Sequence, residues 1–224
     1  MSTKTLFIAF EGLDGSGKDT QLTKLIDEIK SSKNFLFGDK YSNIWVTRQP
    51  TKITKSGIEI SEKIKQEQVS KEEATRGFVQ DRIEHSQIIK EQLTHSYILT
   101  SRYDFSTLVY QYVQGMNLEE LYAMHKYGDE KGTLIPDITL VFKVSAQVGL
   151  SRILDGRQEV PKECFEHLDF LQKCERKEQE VIEYLREKDG RCIIEIDANQ
   201  SIEDVTREMI LQLEQWWKKQ NNND

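Results

Sequence analysis

The sequence predicts an α/β fold: a parallel five-stranded sheet covered on both faces by helices. Three observations carry this. Short apolar runs alternate with longer helical ones, the order that builds parallel sheets through right-handed crossovers. The first apolar run leads directly into a glycine-rich loop and an amphipathic helix. The 224 residues are enough to bury one sizeable core.

The strand-like runs are Leu6–Phe10, Ile44–Thr47, Tyr97–Thr100, Ile138–Val144 and Cys192–Ile196, each short and apolar. Between them, Thr20–Lys30 has Leu22, Leu25, Ile26 and Ile29 on one helical face. A long helical stretch covers Lys71–Leu93, and further ones cover Asp104–Gln114, Leu118–Lys126, Gln147–Leu154 and Phe165–Lys188. An amphipathic helix over Ile202–Trp217 closes the chain. Residues 1–220 read as one domain, with 221–224 a disordered polar tail.

Net charge is −7 with 31% charged residues, which argues against a general nucleic-acid or anionic-membrane surface. Any anion must be held by local donors against that background. No apolar run approaches the roughly 20 residues that span a bilayer, and the N-terminus has no secretory pattern. Cys164, Cys174 and Cys192 lack CxxC spacing and read as reduced thiols. The expectation is a soluble, cytoplasmic protein with no nucleic-acid or membrane partner.

The loop Gly12-Leu13-Asp14-Gly15-Ser16-Gly17-Lys18 has the spacing of a phosphate-binding loop. Glycines let successive N–H groups point inward at an anion. Lys18 adds a point charge, and the following helix its positive end. The plainer alternative is a glycine-rich βα turn, but the strand before and the helix after are the context the motif requires. This makes the fold phosphate-loop NTPase-type. Ligands in such sheets bind beyond the carboxyl ends of the strands. The candidate positions are therefore Gly12–Thr20, Arg48–Pro50, Ser101–Tyr103, Ser145–Ala146 and Asp197–Ala198. Arg48 and Arg102 beside Lys18 suggest a second phosphate group.

Two further clusters narrow the chemistry. Phe78 and Arg82 share a helical face with His85 or Ser86, so a ring and a guanidinium could stack a base and bond its edge. The alternative buries Phe78 in the core and leaves Arg82 solvated. The second cluster, Thr100-Ser101-Arg102-Tyr103-Asp104-Phe105-Ser106-Thr107, follows the central strand and continues to Tyr110 and Gln111. Alone, it also reads as a polar βα loop capped by Asp104.

The ordered set FEGLDGSGKDTQ, VTRQP, FVQDRIEH, SRYDFSTLVYQ, PDITLVFKVSAQVGLSRILDGR and IIEIDANQS resembles the thymidylate kinase family, from Leu6 to about Val205. The resemblance implies transfer of the γ-phosphoryl of Mg·ATP to dTMP, a mobile lid and a homodimer. It assigns the ATP phosphates to Gly12, Asp14, Gly15, Ser16, Gly17, Lys18, Asp19 and Thr20. Asp197 and Ala198, with Gln200 and Ser201, would lie near adenine, and Arg152 would contact ATP. Asp14 would also accept from the deoxyribose 3′-hydroxyl. Phe78 would stack on thymine, Arg82 would read its O4 edge, and Arg48 and Arg102 would contact the acceptor phosphate. Pro50, Ser106, Thr107 and Gln111 would line the dTMP pocket, and Tyr110 would crowd a 2′-hydroxyl. The lid would span 152–161. Gly15 and Ser16 are not basic, so a catalytic arginine would come from the lid, as Arg157 or Arg152, to act with Lys18 and Arg102. Another deoxynucleotide or deoxynucleoside as acceptor, and a non-catalytic nucleotide-binding relative, are the competing readings.

The chain departs from the usual pattern at the metal. A loop hydroxyl and a carboxylate after the central strand commonly serve Mg²⁺, whereas here Asp19 is in the loop and Ser101 follows the strand. The two ligand types read as exchanged; alternatively, Asp19 favours the helix N-terminus and Thr20 supplies the hydroxyl.

Overall fold

The computed structural model describes residues 5–31, 43–67, 69–155 and 168–221. Strands β1 (Phe7–Glu11), β2 (Asn43–Arg48), β3 (Ser96–Ser101), β4 (Ile138–Lys143) and β5 (Ile193–Asp197) form one sheet in the order β2-β3-β1-β4-β5. All four pairings are parallel. The central strands β1 and β3 are buried throughout, as expected for a sheet covered on both faces. At the edge, β2 is partly exposed. Phe10 is in register with Ser101 on one side and Leu140 on the other, so the carboxyl ends of three strands lie level.

The helices are α1 (Lys18–Ser31), α2 (Lys55–Lys65), α3 (Lys71–Gln92), α4 (Asp104–Val113), α5 (Leu118–Met124), α6 (Ala146–Asp155), α7 (Leu168–Asp189) and α8 (Ile202–Asn221). The main core joins Ile8, Phe10, Leu99, Leu140 and Phe142 of the sheet to Leu22 and Leu25 of α1, Leu108 of α4, Ile182 of α7 and Met209 of α8. Strand ends move by at most one residue from the sequence reading, and α8 continues to Asn221. Helix α2 was not foreseen. It starts at Thr54, whose side chain accepts from Gly57 N, and it packs on α3. Of the expected lid, Arg152–Asp155 belong to α6, while 156–161 lie outside the described residues. Residues 222–224 lie outside them too. Among the described residues no helix is long and apolar enough to cross a membrane.

Candidate active site

The loop between β1 and α1 is shaped by its glycines. Gly15 has φ +78°, and a Cβ there would meet Gly149 O at 2.1 Å, so the loop sits directly on α6. Ser16 Oγ is buried with no hydrogen-bond partner among the described residues, a hydroxyl left over inside an anion cradle. Lys18 is buried; its Nζ donates to Leu13 O at 3.2 Å and lies 4.0 Å from Asp14 Oδ1. Burial first, then the Arg102 charge, brings this ammonium down to about 8.

Asp14 joins this loop to the next strand. Its Oδ1 accepts from Arg102 Nη2, and its Oδ2 from the Tyr110 hydroxyl at 3.5 Å. Burial alone would raise its pKa, but Arg102 and Lys18 outweigh burial and hold the carboxyl below its usual range. Arg102 follows β3 with φ +62°, uncommon for a residue with a side chain, and its N–H donates to Phe10 O at 2.9 Å. Its guanidinium carbon lies 5.3 Å from the Tyr110 ring centroid, and Phe170 of α7 stacks parallel on that ring at 5.8 Å. Ser106 donates to Glu11 Oε2 and accepts from Arg102 Nη1 at 3.2 Å. The Glu11 carboxylate also accepts from Tyr103 N at 2.6 Å. Glu11 therefore anchors the start of α4 beneath the site, a role the sequence did not disclose.

Arg48 is exposed at the end of β2, level with Ser101. Pro50 follows it, half-buried. Phe78 is half-buried on α3, outside the packed core, one turn before a fully enclosed Arg82. Arg82 Nη2 donates to Thr107 Oγ1 at 3.0 Å, bringing two expected base contacts together. Gln111 is buried and accepts from Thr75 Oγ1 at 3.0 Å, tying α4 to α3.

A cavity of about 430 Å³ opens on the other side of the loop, lined by Gly15, Gly17, Thr20, Arg152, Ala198 and Ile202 among others. Arg152 Nη1 donates to Ala198 O at 2.8 Å and Gly15 O at 3.4 Å, and Nη2 to Gln200 O at 3.2 Å. It braces the cavity wall. Asp197 accepts from Asn199 within its own turn and does not line this cavity. Gln200 and Ser201, expected near adenine, line it, as do Gln21 and Val205, which the sequence did not single out. Asp19 is exposed on the first turn of α1, where its Oδ1 accepts from the buried Ser101 hydroxyl. Arg157 lies outside the described residues.

A glycine cradle with a buried lysine, joined through Asp14 to the arginine at the end of β3, defines a phosphate-loop nucleotide kinase. The thymidylate kinase family profile matches residues 10–209. The chain is 32% identical over 209 residues to the probable thymidylate kinase of Methanococcus aeolicus, covering 92% of this chain and 95% of that one. It is 30% identical to the probable thymidylate kinase of Methanocaldococcus jannaschii, covering 92% and 94%. Against the thymidylate kinase of Bacillus cytotoxicus the identity is 27%, covering 94% and 98%. The chain belongs to the thymidylate kinase family.

Proposed function

We infer that this protein is an ATP-dependent thymidylate kinase that moves the γ-phosphoryl of ATP to dTMP, giving ADP and dTDP. The observation that carries the reading is Asp14, a residue of the donor loop that pairs with Arg102 on the acceptor side. The bond from γ-phosphorus to the β–γ bridging oxygen breaks, and a new one forms to an oxygen of the dTMP phosphate. That oxygen is already anionic, so no side chain need remove a proton; the task is alignment and charge neutralisation. An Asp14 held ionised by Arg102 suits orientation, not base catalysis.

Lys18 and the N–H groups of Gly15–Thr20 hold the ATP phosphates. Arg152, Ala198 and the turn after Asp197 form the adenine wall. Arg48 and Arg102 hold the acceptor phosphate, with Ser106 steering Arg102. Phe78 stacks on thymine while Arg82 and Thr107 face its edge; Pro50 and Gln111 shape the pocket, and Tyr110 crowds a 2′-hydroxyl. Arg152 already donates to three carbonyls, so the catalytic arginine is proposed to be Arg157.

Asp19 and Ser101 offer adjacent hard oxygen donors, a set that fits Mg²⁺ carried mostly by phosphates and water. When bound, Mg²⁺ supplies charge neutralisation at the β- and γ-phosphates. A homodimer and a cytoplasmic location complete the proposal; sedimentation of the purified chain tests the first and cell fractionation the second. The deciding experiment for function is coupled ADP release against dTMP, dUMP, dCMP, dAMP and thymidine. Turnover should be strongest with dTMP and absent with thymidine. Preference for another acceptor would reassign the substrate, and no turnover with any would leave a binding protein.

A further inference from the structure

Arg82 is 2% exposed and its guanidinium is held from three sides. Nε donates to Gln49 Oε1 at 2.7 Å; Nη2 donates to Tyr103 O at 2.7 Å and to Thr107 Oγ1. Nη1 lies 2.8 Å from His125 Nε2. A guanidinium has five N–H groups and no acceptor, so among the described residues one Nη1 N–H is left over.

The chemistry of the partners fixes every donor. His125 Nδ1 lies 2.7 Å from Leu121 O, and a carbonyl only accepts, so Nδ1 carries the hydrogen. Nε2 therefore presents a lone pair to Arg82. The ring is stacked on Tyr127 at 5.2 Å and 4°, and the Tyr127 hydroxyl donates to Asp104 Oδ2 at 2.6 Å. On the other flank, Gln49 turns its oxygen to Arg82 and its Nε2 to His85 Nδ1 at 3.1 Å. That leaves His85 Nε2 to donate to Thr47 Oγ1 at 3.0 Å.

We propose that His125 is a positioning residue for base recognition: as a neutral ring of fixed tautomer it accepts one Nη1 hydrogen of Arg82. The guanidinium then presents one donor, which selects a pyrimidine with a carbonyl oxygen at that edge over one with an amino group. This rests on the assignment of Arg82 to the base edge. The groups facing His125 leave it neutral: burial first, and then the Arg82 charge, outweigh Asp104 and bring it down to about 3.

The experiment compares kcat and KM for dTMP, dCMP and ATP in His125→Leu, which removes the acceptor, and His125→Gln, which keeps an oxygen near the Nε2 position. His125→Leu should raise KM for dTMP about tenfold, as losing a hydrogen bond to a charged group implies. It should cut the dTMP:dCMP ratio of kcat/KM by a similar factor and leave KM for ATP unchanged. His125→Gln should recover most of the ratio. Equal impairment in both variants, or a fall in every parameter at constant ratio, overturns the proposal in favour of a packing role. Arg82→Lys separates the two levels: an unchanged dTMP:dCMP ratio in that variant sinks the assignment of Arg82 itself. Should His125→Leu not fold, nitrogen NMR of the wild-type protein decides. The His125 Nε2 resonance should be that of an unprotonated nitrogen and shift on adding dTMP but not ATP alone. A protonated Nε2, or no response to dTMP, refutes the proposal.

Discussion

The Ser101 hydroxyl donates to the Asp19 carboxylate, joining the end of β3 to the first turn of α1. A loop hydroxyl and a post-strand carboxylate are the usual pair at these places in phosphate-loop enzymes. Here both chemical types are present with their positions exchanged, and they still meet. Reversing both at once should therefore preserve the pair. Asp19→Ala should raise the Mg²⁺ concentration for half-maximal rate by about tenfold or more, and weaken Mn²⁺ binding to the enzyme–nucleotide complex measured by spin resonance. Asp19→Thr with Ser101→Asp should recover more of both than either single change. Normal Mg²⁺ dependence in Asp19→Ala would remove Asp19 from the metal.

Phe78 is half-buried and outside the packed core, so its ring is available to a ligand. Phe78→Ala should raise KM for dTMP by about ten- to a hundredfold, from stacking on the order of 1–3 kcal/mol. KM for ATP and the melting temperature should change little. Parallel losses for both substrates would return Phe78 to a packing role.

Lys18 titrates near 8 because burial, aided by Arg102, opposes its charge. As pH rises through that value the free enzyme loses the cation that meets the phosphates. ATP phosphates, once bound, keep it charged. The expectation is a fall in kcat/KM for ATP above about pH 8 with little change in kcat at saturating ATP. Lys18→Arg should abolish the inflection whatever its absolute rate, and persistence of the inflection in that variant would place it on another group.

His125 and His85 sit at about 3 and about 4 in the fold, each lowered first by burial. Unfolded histidine titrates at about 6.5. The unfolded chain therefore binds more protons below that point, and the stability each neutral ring confers is complete above about 6.5. It is lost as pH falls toward the folded values, by about 1.4 kcal/mol per pH unit per ring. Glu178 acts oppositely: burial raises it to about 8, so it favours the fold at lower pH. The test is thus a difference: the urea stability of His125→Gln should fall less steeply with acidification than wild type, by about that slope. Identical slopes between pH 6 and 4 would mean the ring is not held neutral.

Much of the fold was legible because its signals are local. Each apolar run is a strand, and the glycine spacing marks the loop with Lys18 and Asp14. Arg82 and Thr107, expected at one base, do meet. What escaped was set by distant partners. Gln49 and His125 lie 33 and 43 residues from Arg82, and neither has a periodic or compositional mark. Helix α2 escaped because it is short and carries only three apolar side chains, Ile58, Ile60 and Ile64. Gly57 within it weakens the helical pattern, yet it is needed where a Cβ would meet Asp81 Oδ1 at 2.5 Å. Arg152 was expected in chemistry or ATP binding, and its bonds to the carbonyls of Gly15, Ala198 and Gln200 depend on distant partners that carry no mark in the sequence.

The left-handed backbone of Arg102 limits how this enzyme could be diversified. Glycine and asparagine adopt such a φ most readily, and both delete the guanidinium that pairs with Asp14. β-branched replacements would strain the peptide path from β3 and the N–H donated to Phe10. Unbranched ones, which meet the backbone cost Arg102 already bears, still lose the guanidinium that reaches both Asp14 and Ser106. A mutational library at this position therefore has no neutral route out. New acceptor specificities in this scaffold would have to arise around the base pocket, with the arginine left as an invariant hinge of the design.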